Sequence, residues 1–233
     1  SPASALTECW QRVDGLQDHM LNFLENHDEL RVASPQLFGS AEKAFPALLV
    51  SATMSTSPFM VYQGQELGEN AAGAMGFSGD DGRTSIFDYC SIPTLVRWYN
   101  NGNCGIQKLN NKERKIRAFY KKVLRLCNGE KAISEGAFFD LMYVNYHNPN
   151  KQYLYLRHYE NETLLIAVNF DSQDATVYAD IPQHAFDFLK IDSGTYFMKE
   201  LISGKQKTVE FSSNAKFELH IPAHNGVVWK IVK

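Results

Sequence analysis

The chain has 233 residues, room for one large or two modest domains, and 44% of them are apolar, an ordinary fraction for a globular protein. A formal net charge of −3 gives no electrostatic reason to expect nucleic acid or an anionic membrane as a partner. No stretch approaches the ~18 apolar residues of a membrane span, and no signal-peptide pattern opens the chain, which carries no weight if the native N-terminus lies further upstream.

From Ser4 to about Leu16 the pattern predicts a helix, with Ser4 as N-cap and Leu6, Trp10 and Val13 on one side. Met20 to Leu24 predicts a short strand whose near-continuous apolar character suits a parallel strand covered on both faces. It runs abruptly into Asn26-His27-Asp28, an amide, an imidazole and a carboxylate. Catalytic groups occupy that place in a βα barrel, on the loop just past a strand's carboxyl end. Ser40 is positioned to cap a helix from Ala41 to about Met54, with Pro46 as a source of a kink. A second strand, Phe59 to Tyr62, runs into Gln63-Gly64-Gln65-Glu66-Leu67-Gly68, so the order is strand, helix, strand. Gly64 to Asn110 is a long irregular stretch, of a length that is usually functional or carries small helices. Asn111 to Cys127 is an amphipathic helix turning Ile116, Phe119, Val123 and Leu126 inward, with Gly129 as its stop. Its Lys/Arg cluster, spaced by apolar residues, is a solvated face rather than a binding patch.

After Gly136 the grammar changes to alternating strands: FFDLMYVNYH, QYLYLRHY, TLLIAVNF, ATVYADI, TYFMKELI, KTVEF, KFELHI and GVVWKIV. Asn, Asp, Gly or Pro turns separate them, with a hairpin at Glu160-Asn161-Glu162, and the absence of helices between them indicates an antiparallel sandwich. Cys9, Cys90, Cys104 and Cys127 are far apart and lack metal-ligand spacing. Structural thiols are the default reading, and a Cys90–Cys104 pairing stays open.

Two segments carry a resemblance to a known family. LNFLENHDE, followed by PFMVYQGQELGE, resembles the last two barrel strands of the α-amylase family, glycoside hydrolase family 13. In that family one strand ends in N-H-D and the eighth reads like P-F-x-x-Y-x-G-x-E-x-G. LLIAVNF and the closing IPAHNGVVWKIV resemble its C-terminal β-sandwich. The resemblance implies an α/β plus all-β chain: the last two βα units of a (β/α)8 TIM barrel over residues 1–135, then an antiparallel β-sandwich domain over 136–233.

It also implies a function. The chain is expected to be the C-terminal segment of a retaining glycoside hydrolase acting on α-glucosidic bonds of starch or malto-oligosaccharides. Asp28 then matches the family's transition-state stabiliser and His27 the imidazole that hydrogen-bonds the same sugar. Asn26 shapes the turn beside the substrate. Arg83, Asp88 and Trp98, in or after the loop beyond the eighth strand, are candidate outer sugar contacts, with packing as the alternative for each. Glu66 is read as a structural or outer-shell carboxylate, and Arg31 as pairing with Glu29 or holding the catalytic loop. Arg12-Val13-Asp14-Gly15 imitates the family's R-x-D nucleophile motif but is rejected. That motif lies on the fourth strand, three βα units of roughly 30 residues each before N-H-D, whereas Asp14 ends a helical pattern close to Asp28.

The nucleophile and general acid are therefore expected upstream. The chain alone is expected to be inactive, and to need the N-terminal part of the barrel or to self-associate. No cofactor and no metal are expected here; a structural calcium, where the full-length protein holds one, is bound largely by upstream residues. Periplasmic, extracellular and cytoplasmic locations all stay open. The rival reading is a non-catalytic amylase-like protein that binds carbohydrate or a partner, against which the intact N-H-D argues. No exposed aromatic pair on one strand calls for reading the sandwich as a carbohydrate-binding module.

Overall fold

Backbone contacts divide the chain into two units that do not follow a single cut in the sequence. One comprises Ser1–Met20, Thr53–Ser57 and Leu126–Lys233; the other comprises Leu21–Ala52 and Pro58–Arg125. The structure, a computed structural model, describes residues 1–233 except Ala74, Met75, Phe77, Ser78, Asp88, Tyr89 and Asn214.

The unit built from Leu21–Ala52 and Pro58–Arg125 holds two short parallel strands. Strand β1 (Asn22–Phe23) pairs with β2 (Phe59–Met60), Asn22 opposite Phe59 and Phe23 opposite Met60. The ladder is shorter than the apolar runs that announce it. Leu21 and Phe23 are exposed rather than covered, because among the described residues β1 has no strand neighbour but β2. Helix α2 (Phe45–Thr53) follows a 3-10 turn at Glu42–Ala44 instead of starting at Ala41. Pro46 thereby falls in its first turn, where a missing N–H costs nothing.

Beyond β2, a 3-10 turn (Gln65–Leu67) lies between Gly64 (φ 84°) and Gly68 (φ 76°), both left-handed. A Cβ at Gly68 would stand 2.6 Å from the Ile116 Cδ1, so the second glycine is required by packing as well as by φ. Helix α3 (Pro93–Tyr99) comes next, then α4 (Asn111–Gly129). The start of α4 is a reciprocal cap: the Asn110 Oδ1 accepts the Glu113 N–H at 2.9 Å, and the Glu113 Oε2 accepts the Asn110 N–H at 2.9 Å. Ile116, Tyr120 and Val123 are buried, and Phe119 stacks on Phe45 at 3.9 Å between ring centroids.

In the other unit, α1 (Ala5–Arg12) is shorter than expected. Ser4 is itself helical and makes no capping bond, and Gly15 (φ 76°) lies beyond the helix end. All eight runs expected after residue 136 contain strands, following the short α5 (Lys131–Ser134). They are β3 (Ala137–Asp140), β4 (Gln152–Tyr159), β5 (Glu162–Asn169), β6 (Ala175–Asp180), β7 (Gly194–Glu200), β8 (Gln206–Phe211), β9 (Lys216–Ile221) and β10 (Asn225–Val232). One six-stranded antiparallel sheet has the order β3-β4-β5-β10-β7-β8, and β6 pairs with β9. A helix the alternation did not announce, α6 (Gln183–Leu189), interrupts the strands after Pro182. The run from Phe138 remains a strand only to Asp140, whose Oδ1 accepts the Met142 N–H at 2.6 Å and turns the chain. Glu160 (φ 50°) and Asn161 make the two-residue β4–β5 hairpin loop, as their position suggests.

Leu154, Leu156, Leu165 and Ala167 share one core with Val177, Leu219 and Ile221 of the smaller sheet and Phe186 and Leu189 of α6. The opposite face of β4 is buried too, through Tyr153, Tyr155 and Arg157. Among the described residues Arg157 meets no carboxylate there. Its guanidinium donates to the carbonyls of Met54, Ala132, Ile133 and Gly136 at 2.7–2.9 Å. Burial pushes its pKa down to about 10, which still leaves it charged at neutral pH. A Cβ at Gly136 would stand 2.3 Å from the Ala132 carbonyl oxygen. Cys9 and Cys104 are free thiols, so the Cys90–Cys104 pairing is not formed.

Arg157→Met should strand four buried carbonyls and lower the unfolding free energy by about 3 kcal/mol or more, read as a drop in the urea midpoint. A milder pH effect comes from His158, whose pKa burial pushes below its ordinary value of 6.5. The unfolded chain then binds the extra proton first, so stability rises with pH up to about 6.5 and levels off above it. His158→Gln should flatten that part of the pH–stability curve.

Candidate functional site

The loop after β1 is built on its own amide. The Asn26 Oδ1 accepts the backbone N–H of Asp28 at 2.8 Å and of Glu29 at 3.0 Å, the local turn an Asn side chain favours. This turns the next two side chains outward. The His27 Nε2 lies 3.2 Å from the Asp28 Oδ2, with the two side chains 46% and 71% exposed. An imidazole and a carboxylate are thus presented together to solvent, at the carboxyl end of a strand in a parallel pair.

What holds that loop is buried. The Arg31 guanidinium donates from Nη1 to the Glu25 Oε1 at 2.7 Å, and from Nε and Nη2 to the Thr84 Oγ1 at 3.0 and 2.7 Å. Both Arg31 and Glu25 are fully buried, and the Tyr62 ring covers the guanidinium at 4.2 Å. The second carboxylate oxygen of Glu25 accepts the Val32 N–H at 2.6 Å, and the Arg31 N–H donates to the Gly82 carbonyl at 2.7 Å. Desolvation is the largest influence on Glu25 and pushes its carboxyl above the usual range, with Arg31 and the Val32 N–H pulling the other way. Arg31 therefore pairs with Glu25, not with the expected Glu29. One cation ties the segment after β1 to the segment after β2.

The segment after β2 carries a second buried carboxylate. Glu69 accepts the N–H groups of Asn70 and Ala71 at 3.0 Å, and the Thr94 hydroxyl at 2.8 Å. Glu66, the carboxylate the motif drew attention to, is only half-buried. Gln65 accepts the Tyr62 N–H and donates to the Tyr120 hydroxyl at 3.0 Å. Arg83 is clasped by Asp81, with Nη2 to Oδ2 at 2.6 Å. That bond, and behind it the fields of Asp81, Asp28 and Glu29, push the Arg83 pKa up. Arg83 is therefore within electrostatic reach of Asp28 while it hydrogen-bonds Asp81. Trp98 is half-buried on α3, its Nε1 enclosed without a partner among the described residues. Asp88 lies outside the described residues. Asp14 follows the end of α1 and is exposed, as a helix-terminal residue should be.

Arg31 was legible as a residue holding the loop, but its partners Glu25 and Thr84 were missed because each is an ordinary residue in the sequence. The only signal was a carboxylate directly after an apolar run. Among the described residues no cluster of three or more His, Cys, Asp or Glu side chains is arranged to hold a metal ion.

No protein-family model matches this chain, and no curated protein matches it in sequence. Solved structures do match it. An α-amylase from Geobacillus thermoleovorans complexed with acarbose is matched over 100% of this chain and 44% of that one, with a TM-score of 0.66 at 15% identity. An Anoxybacillus α-amylase is matched over 100% and 43%, with a TM-score of 0.62 at 17% identity. A mutant of the trehalulose synthase MutB in complex with Tris is matched over 99% and 47%, with a TM-score of 0.59 at 19% identity. The chain has the fold of the C-terminal portion of the α-amylase family, glycoside hydrolase family 13. It spans less than half the length of each of these three structures.

Arg31→Met should leave the Glu25 carboxylate buried and unpaired and cost about 3–5 kcal/mol of stability. Asn26→Ala, which removes a more exposed acceptor, should cost about 1 kcal/mol. Thermal melts of the two variants beside the parent chain would show that ordering.

Proposed function

We propose that this chain is the C-terminal segment of an α-amylase-type retaining glycoside hydrolase acting on α-glucosidic bonds of starch or malto-oligosaccharides. The observation that carries the reading is the pairing of His27 and Asp28 on a loop just past β1, held from behind by the buried Arg31. In this reading residues 1–135 are the last two βα units of a (β/α)8 barrel and residues 136–233 are its β-sandwich domain. Asp28 stabilises the positive charge that develops on the sugar ring, and His27 hydrogen-bonds the same sugar. Asn26 and Arg83 border the substrate. The nucleophile and the general acid, a carboxylate pair about 5–5.5 Å apart in retaining enzymes, belong to the upstream part of the barrel.

The open sides of the parallel pair support the reading. Leu21, just before β1, and Phe23 on it are exposed, as are Ile86, Phe87, Val96 and Tyr99 around a groove of about 360 Å3 beyond β2. Barrel strands have neighbours on both sides, so the upstream part of the barrel, or a second copy of this chain, is the natural cover. A structural calcium in the complete protein would draw mainly on upstream residues.

The purified chain should release no reducing sugar from starch, and joining it to its upstream segment should restore turnover. In the joined protein Asp28→Asn should lower kcat by about 10²–10³-fold or more, the scale seen when one preorganised charge-stabilising group is removed. Its melting temperature should barely change, because the side chain is exposed. Unchanged turnover in that variant would refute the assignment of Asp28. Glucan binding without any turnover would favour the non-catalytic reading.

A further inference from the structure

Three elements far apart in sequence bring an aromatic trough to the surface of the unit that contains the eight-stranded part of the chain. Helix α1, edge strand β3 and helix α6 enclose a cleft of about 410 Å3. Trp10 packs beside Phe138 with ring centroids 4.3 Å apart. Phe139 lies 5.9 Å from Phe188 and 5.1 Å from the His184 ring. Phe188 is 64% exposed and the neighbouring Tyr143 is 51% exposed. Large aromatics left in water together mark a contact surface more often than chance placement does.

The polar groups of the cleft restrict what it can take. Among the described residues no Lys or Arg lines it, so a phosphate or another anion would meet no fixed cation there. Asp140 has its charge taken up internally: the Oδ2 accepts the hydroxyls of Thr7 at 2.5 Å and Tyr153 at 2.6 Å, and the Oδ1 accepts the Met142 N–H. Of the two carboxylates among the described residues that line the cleft, Asp14 alone is then left for a cation. What remains is a set of neutral or singly charged groups that exchange hydrogen bonds: the Gln11 amide, the Asp14 carboxylate, and the His184 ring joined to the Tyr143 hydroxyl at 2.8 Å. A pyranose matches both features. Its C–H face packs against an aromatic ring, whose face carries partial negative charge, and its hydroxyls radiate outward to such groups.

We propose that this cleft is a glucan-binding site separate from the Asn26–Asp28 loop, taking two or three glucosyl units of an α-glucan against Trp10, Phe138 and Phe188. The choice of an α-glucan over other neutral sugars rests on the proposed function; the cleft itself does not depend on it. Such a site anchors a polymer without reacting with it, since the Asp140 carboxylate has both oxygens committed to internal hydrogen bonds.

Isothermal titration of the whole chain with maltoheptaose tests this, with cellohexaose and choline as comparison ligands. Maltoheptaose should bind, and Phe188→Ala and Trp10→Ala should each weaken it at least tenfold. Phe188 is a surface residue, so its variant keeps the test valid if Trp10→Ala fails to fold. No binding of maltoheptaose, equal binding by the Phe188→Ala chain, or preference for choline or cellohexaose would each overturn the proposal. Because the readout is binding and the Asp28 assignment is read from turnover, the two can fail independently.

Discussion

A buried guanidinium is the constraint on which the candidate site depends. Arg31 is fully enclosed, and an unpaired charge in that position would be far too costly to keep. It is kept because three groups from different stretches of chain converge on it: the Glu25 carboxylate, the Thr84 hydroxyl and the Tyr62 ring. Each of those groups is thereby fixed as well. Asp28 lies between Glu25 and Arg31 in the sequence, so fixing its two neighbours leaves its loop few conformations, and the Asn26 amide selects among them. The exposed pair His27–Asp28 is orderly because what lies behind it is not exposed.

The eight-stranded unit solves the same electrostatic problem differently. Arg157 is also almost fully buried, yet its partners are four backbone carbonyls. Two of them, Ala132 and Ile133, belong to the short helix α5, and such late-helix carbonyls have no intrahelical donor of their own. The charge and the orphan acceptors satisfy one another. Gly136 completes the arrangement, since any side chain there would collide with the Ala132 carbonyl. An Arg that looks like a surface strand residue by alternation is instead the fastening point of residues 132–136.

The same logic separates the two kinds of surface. Around β1 and β2, apolar side chains are exposed beside a two-stranded ladder, and in the proposed function this is the side that the upstream part of the barrel or a second copy covers. Around β3, the exposed side chains are aromatic and stand beside a hydrogen-bonded pair, the Tyr143 hydroxyl and the His184 ring. That mixture tolerates water and suits a hydroxylated ligand. Hydropathy alone would score the two surfaces alike; the difference is whether polar partners stand within reach.

By itself the sequence determined the local grammar. The parallel order of strand, helix, strand, the helix at Asn111–Gly129 with its inward Ile116 and Val123, and the run of eight strands are all periodicity, and periodicity is a property of neighbouring residues. The Asn26-His27-Asp28 turn was legible for the same reason, because an Asn side chain closes on its own backbone within three residues. Element ends were read less well. Ser4 makes no cap, α2 begins only after a 3-10 turn, and the strand from Phe138 stops at Asp140. Each of these ends is decided by competing bonds a few residues away. What only the tertiary structure decided were pairings across tens of residues: Arg31 with Glu25 and Thr84 and not Glu29, Arg157 with the carbonyls of Met54 and α5, and Trp10 beside Phe138 with Phe188 across the cleft. A buried charge takes whichever partner the fold brings within about 3 Å, and nothing in the one-dimensional pattern records that distance.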